Sequence, residues 1–336
     1  MIKRILLLLA ITGLLVLGAC SNEESSSEAS NDSTYKMKIG HVNPEGEPTN
    51  EVFEHFVKPE LEERSDGRLE VEIYPQSQLG SENELTELTQ IGTVDVSAAS
   101  VPSNHAAKLD IFYLPYLFTE QEKLWDVMDG SLSDEIDEYF EEEAGVKVMG
   151  WWSVGTRHMF TTDKMEVKNL DDLKGAKIRV MEKDVITKIF EKMGMLPTPL
   201  PYDDVYSSIS TKVVDGAEND PSGYKNMKFY EVGPNLSLTA HLNYPKTVMM
   251  NKDFYNELPE DLQKVVDQVF DEAETEQREM FMEVMDEDLE WLEENGTNII
   301  EDVDVDSFQK RAEELYDELD GIDHEFLDKV IEERDK

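Results

Sequence analysis

Two arginines in this sequence stand where solvation alone does not account for an arginine. Arg157 follows the apolar run Val148-Met149-Gly150-Trp151-Trp152 and a Gly155-Thr156 turn, and Arg179 lies inside Ala176-Lys177-Ile178-Arg179-Val180. The whole chain has eight arginines, so two this close to apolar strands carry information. A guanidinium is a planar fork of five N–H donors, and burying it costs more than it returns unless a carboxylate or phosphate of matching geometry meets it. Two such forks make a clamp for an anion. The competing reading is that each bridges to one of the many acids on a solvated face, where an ion pair contributes little. Asn219, which closes the string Val213-Val214-Asp215-Gly216-Ala217-Glu218-Asn219, adds an amide able to donate to a ligand oxygen.

Several elements have to position these groups. Residues 148–152 read as a buried strand ending at the Gly155 turn, and 176–180 as a strand whose period of two puts Ile178 and Val180 on one face and Arg179 on the other. Upstream, 36–42 alternates as a first strand, 50–64 carries a helical stripe of Val52, Phe53, Phe56, Val57 and Leu61 bent by Pro59, and 69–74 is a second strand. Ser81 with Glu84 forms a capping box for a helix that stops near Gly92, and 94–98 is a third strand. Strands alternating with helices predict βαβ units, a mainly parallel sheet, and a ligand site beyond the carboxyl ends of the strands. His41, Asn43 and Ser100 are then pocket edges or ordinary loop residues. Trp152, beside a strand end, either stacks on a flat part of a ligand or packs in the core.

Downstream, the aromatic run at 111–118 reads as core, followed by two helical stretches up to residue 145. A helix over 184–193 stops at Gly194, the prolines of 197–201 force an extended path, and Tyr202 opens a helix through about residue 210. Residues 213–217 read as a short strand and turn. From 259 to 295 runs one helical pattern, roughly 55 Å long at 1.5 Å per residue, with the polar stretch 272–278 as a possible bend. That length exceeds one lobe. Phe308, Ala312, Leu315 and Leu319 keep helical spacing near the C-terminus.

The strings GTRHMFT, DLKGAKIRVM and LPTPLPYDDVYSSISTKVVDGAEND, with KIGHVNPEGEP, YPQSQLGSENEL and NELPEDLQKVV, resemble the DctP family, the solute-binding proteins of tripartite ATP-independent periplasmic (TRAP) transporters. Their order and spacing cover nearly the whole chain after residue 35. The resemblance implies an α/β, two-lobed periplasmic-binding-protein-like fold with a long helix running behind both lobes. It assigns 35–154 with 245–284 to lobe I, and 155–244 with 285–336 to lobe II. It also implies that Arg179 pairs with a substrate carboxylate, that Arg157 and Asn219 help line the pocket, and that Tyr202 sets its ring against the ligand. The implied partners are a small organic anion (a sugar acid, a C4-dicarboxylate or a 2-oxo acid) and the integral membrane permease subunits, driven by an ion gradient.

The chain begins with Lys3 and Arg4 before an apolar segment, 5–17, too short for a stable span, and Leu17-Gly18-Ala19-Cys20 looks like a bacterial lipoprotein signal. Residues 1–19 would be removed, Cys20 lipidated to tether the protein to the bilayer on the extracytoplasmic side, and the Ser-rich 20–34 would act as a flexible tether. Cys20 is the one cysteine, so the fold has no intramolecular disulfide. Lys and Arg total 31 against 75 Asp and Glu, a net charge of −44, which argues against nucleic acid as a partner. No G-x-S-x-G, H-E-x-x-H, P-loop or dinucleotide fingerprint occurs, and the six histidines lack ligand spacing, so no cofactor, metal or catalytic residue is expected. Two readings from other classes stay open: an extracellular carbohydrate-active enzyme, and a binding protein for a cationic or zwitterionic compatible solute.

Overall fold

The computed structural model describes residues 33–101 and 106–336. The signal segment, Cys20 and all but the last residues of the tether lie outside the described residues. The rest forms two sheets. Strands β1 (Tyr35–His41), β2 (Leu69–Tyr74), β3 (Val96–Ser100), β4 (Val146–Ser153), β5 (Arg157–Thr161), β6 (Lys177–Val180), β7 (Leu196–Pro199), β8 (Gly216–Asn219), β9 (Asn235–Leu242), β10 (Pro245–Asn251) and β11 (Asn298–Ile300) follow in chain order. The first sheet has the order β2-β1-β3-β10-β4 and the second β11-β9-β5-β8-β6-β7.

The expectation of a mainly parallel arrangement holds for part of each sheet. β1 pairs in parallel with β2 and β3, and β6 with β7 and β8, all within units joined by helices. β10 instead runs antiparallel between β3 and β4, and β5 antiparallel between β8 and β9. These two strands are entered directly from the other sheet: residues 154–156 lead from β4 into β5, and 243–244 from β9 into β10. A chain that passes straight from one sheet to the other skips the helical crossover that parallel pairing requires. The two crossings are tied side by side, since Thr156 Oγ1 donates to Asn243 Oδ1 at 2.8 Å.

Three other expectations shift for local physical reasons. The first helix begins at Pro48 rather than at residue 50, and the disturbance that Pro59 causes is taken up by a π-helical turn, Phe53–Val57, between α-helical Pro48–Val52 and Lys58–Arg64. The eighth strand starts at Gly216, because Lys212 adopts a left-handed backbone (φ 62) and leaves Val213 in a turn. The polar stretch 272–278 marks no break: Glu260–Glu294 is one α-helix of 35 residues. Those polar residues cover the open edge of β4. Glu274 Oε1 accepts from Trp151 N (2.8 Å), Gln277 accepts from Ser153 N (2.7 Å) and donates to Ser153 O (2.9 Å), and Arg278 Nε donates to Trp151 O (2.9 Å). An edge strand left with unpaired backbone groups would invite pairing with another chain. Here a helix face supplies the missing partners. The same helix buries Val266, Val269 and Phe270 against the first sheet, and places Leu292 in the cluster formed by Phe160, Tyr224 and Leu236 of the second.

Candidate ligand-binding site

The site is assembled where the strands end. Ser100 closes β3, Asn219 closes β8, Arg179 is the third residue of β6, and Arg157 opens β5 directly after a crossing. The crossing depends on Gly155: its φ of +68 is left-handed, and a Cβ there would sit 2.9 Å from Asp220 Cβ and 3.1 Å from Phe281 Cε1. Together with Asn43, just past β1, and Tyr202, these residues face one cleft of about 620 Å³, part of it open to solvent, with walls from both sheets.

Six of the eight expected ligand-binding side chains therefore line one cleft: Asn43, Ser100, Arg157, Arg179, Tyr202 and Asn219. His41 and Trp152 do not. Both are fully buried outside its lining and packed against Phe53, His41 stacked with ring centroids 5.3 Å apart and Trp152 tilted at 4.6 Å. Their places near strand ends suited either role, and Phe53, held by the helical segment that packs on the first sheet, draws both into the core. Burial lowers the His41 pKa to about 3, so that ring stays neutral.

The two arginines differ. Arg157 is compensated internally: Nε donates to Glu218 Oε2, Nη2 donates to Glu218 Oε1 and to the Glu218 carbonyl at 3.0 Å each, and Nη1 lies 3.8 Å from Asp220 Oδ2. Of its three nitrogens, Nη1 alone is not committed to Glu218. Arg179 is only 3% exposed and forms no ion pair with any described residue. Its Nε (2.9 Å) and Nη2 (2.6 Å) share one acceptor, the Leu200 carbonyl. That leaves the far edge of the fork, Nη1 with the second N–H of Nη2, directed away from Leu200 and matched to a carboxylate. Burial pulls the Arg179 pKa down, the nearby Glu218 opposes that, and the Arg157 charge adds to it. Beside it, Asn219 Nδ2 donates to Tyr202 Oη at 2.9 Å, which fixes the amide and the phenol as a unit.

Sequence reasoning missed six charged residues of the cleft: Glu47, Glu82, Glu182, Lys183, Asp220 and Lys246. Lys246, 3% exposed, donates to Asn43 Oδ1 (2.7 Å) and Thr49 Oγ1 (3.2 Å). A lysine in the buried run Pro245-Lys246-Thr247-Val248-Met249 carries the same signal as Arg179 and could have been found by the same reasoning. Nothing in the sequence marks Lys183, Glu47 or Asp220. Glu47, on the first sheet's side, is pushed up to about 7 by burial, with Lys246 opposing and Asp220 adding to the rise. Burial likewise raises Asp220, with Arg157 opposing.

A match to the family model for DctP, bacterial extracellular solute-binding protein, family 7, extends over residues 39–321. The chain belongs to the DctP family of TRAP solute-binding proteins. DctP relatives include the 2,3-diketo-L-gulonate-binding periplasmic protein YiaO of Escherichia coli, 30% identical over 252 residues that cover 74% of this chain and 76% of that one. Another is the ectoine-binding periplasmic protein TeaA of Halomonas elongata, 28% identical over 329 residues, 94% and 92% of the two chains. Among solved DctP-type structures, a TRAP periplasmic solute-binding protein from Roseobacter denitrificans with bound L-galactonate superposes with a TM-score of 0.84 at 26% identity, covering 90% of this chain and 99% of that one. The two-lobed α/β architecture and the back helix are thus those of the family. Among the described residues no helix is long and apolar enough to cross a membrane and no acidic, His or Cys group is arranged to hold a metal ion.

Proposed function

We propose that this protein captures a small sugar acid between its lobes and delivers it to the membrane permease of a TRAP system. The observation that carries the reading is Arg179, a buried guanidinium with no acid partner among the described residues and with a free carboxylate-matching edge beside Asn219 and Tyr202. A charge-assisted hydrogen bond contributes about 1.5–3 kcal/mol, whereas micromolar affinity needs about 8 kcal/mol, so contacts along the rest of the ligand must supply the balance. A sugar acid meets both needs: its carboxylate suits the arginine fork, and its hydroxyls suit a wall that mixes carboxylates with ammonium groups. The bound sugar acid in the R. denitrificans relative, and the sugar-derived ligand named for YiaO, support the same class. Closure follows because a ligand touching both lobes stabilises the closed state over the open one.

A thermal-shift screen tests the reading. Galactonate or glucuronate at about a hundredfold over Kd should add about 2.7 kcal/mol of apparent stability, while polyamines should add none. Ectoine, the named ligand of TeaA, is the informative competitor: stabilisation by ectoine with none by any sugar acid would replace this reading with a compatible-solute binder.

The anchor belongs to the same proposal. Cys20 would hold the protein at the extracytoplasmic membrane surface, and the 20–34 segment would set its reach. Mass spectrometry of protein from the membrane fraction should find an N-terminal peptide starting at a diacylglyceryl-modified Cys20. A mature N-terminus elsewhere would exclude the anchor.

A further inference from the structure

Lys183 sits just before the helix Asp184–Lys192 and is 5% exposed, yet its ammonium, which carries three donors, has as partner among the described residues only the Ser100 carbonyl at 3.4 Å. That distance is longer than an ordinary N–H···O bond. Ser100 belongs to β3 of the first sheet and Lys183 follows β6 of the second, so this contact crosses the cleft. On the Ser100 side stands Glu82. Its Oε1 accepts both from Ser100 N (3.2 Å) and from Ser100 Oγ (3.1 Å), and Ser100 Oγ also shares a 3.2 Å hydrogen bond with Tyr244 Oη. Glu82 Oε2 makes no hydrogen bond to a described residue. The cleft thus presents an under-used buried ammonium and an under-used carboxylate oxygen from opposite walls.

The two groups set opposite demands on whatever lies between them. An apolar group would leave the Lys183 ammonium buried without a full set of partners. A second carboxylate would satisfy Lys183 but face the Glu82 charge. A hydroxyl accepts from one and donates to the other at the same time. Arg179, Met181, Glu182 and Lys183 all line the cleft, which places the subsite along the ligand, displaced from its carboxylate end. We infer that Lys183 and Glu82 form a cross-lobe subsite that reads hydroxyl groups on the ligand's carbon chain, which makes the ligand a longer polyhydroxy monocarboxylate rather than a C4-dicarboxylate or a 2-oxo acid that lacks chain hydroxyls. This rests on the sugar-acid reading above.

Binding of galactonate and of glycerate, measured by titration calorimetry on the wild-type chain and two variants, tests it. Glycerate is the short-chain comparison. Lys183→Met should weaken galactonate by about tenfold or more and leave glycerate within about twofold. Glu82→Gln removes the opposing charge and should narrow the preference for galactonate over the six-carbon diacid galactarate. Equal weakening of the long and the short acid by Lys183→Met, or an unchanged galactonate-to-galactarate ratio in Glu82→Gln, overturns the subsite while the sugar-acid reading stands. Absence of binding of any sugar acid to the wild-type chain overturns both. Thermal melts of the unliganded variants distinguish a lost contact from a lost fold, and Glu82→Gln, which keeps its acceptor for Ser100, is the variant least exposed to that ambiguity.

Discussion

Arg179→Lys should weaken sugar-acid binding by about tenfold, and Arg179→Met by about a hundredfold or more, with the unliganded melting temperature unchanged or raised. The two losses differ because they remove different things. Lysine keeps a positive charge in the cleft but presents a point ammonium where, in the proposed complex, the ligand carboxylate would meet two parallel N–H groups. Methionine removes the charge as well, so the proposed carboxylate would lose both the fork and its nearest compensating charge. The stability half of the expectation follows from the unliganded geometry. Arg179 is 3% exposed and spends two donors on the single Leu200 carbonyl, so the empty protein carries a desolvated charge with little in return. A side chain of similar length without that charge relieves the cost. Calorimetric titration together with scanning calorimetry of the unliganded proteins checks both halves. Wild-type affinity in Arg179→Met would remove this residue from the site, and a large drop in melting temperature would assign it a structural role instead.

The parts of the site that sequence could reveal were those whose local surroundings conflict with their chemistry. Arg179 conflicts with a strand of Ile178 and Val180, and the structure buries all three. Asn219 and Tyr202 were legible through their place at an element's end or start, and they meet through a bond between residues 17 apart. Lys183, Glu47 and Asp220 conflict with nothing local. Their burial arises because segments far apart in the chain close on one another: a Cβ on Gly46 would lie 2.9 Å from Asn226 Oδ1, so the loop carrying Glu47 packs directly on the helix Pro221–Asn226 that Asp220 caps. Contacts of that kind depend on how two lobes meet, which no window of sequence reports. What the polar stretch of the long helix does was not legible for a related reason. Glu274, Gln277 and Arg278 read as surface charge along the chain, whereas their partners are the backbone of β4, more than a hundred residues earlier.

Arg157 tests how far the two arginines act as a pair. Arg157→Met should destabilise the protein by about 3–5 kcal/mol, because it leaves Glu218 buried with its counter-charge gone. The side chains are 6% and 1% exposed, so water cannot compensate for the loss. Replacing both, as Arg157→Met with Glu218→Met, should recover most of that stability, since an apolar pair of similar volume removes both desolvation costs together. A double variant as unstable as the single one would show that the pair contributes a net gain that packing cannot replace. The double variant also isolates the binding role. With Nε and Nη2 committed to Glu218 and Nη1 lying 3.8 Å from Asp220, Arg157 has at most one nitrogen to offer a ligand, against the full open edge of Arg179. Its sugar-acid affinity should therefore fall by no more than about tenfold, the equivalent of one charge-assisted bond. A hundredfold fall in a double variant that folds as stably as the wild type would mean that Arg157 releases Glu218 when the ligand enters, and that the guanidinium pair acts on the carboxylate as one clamp.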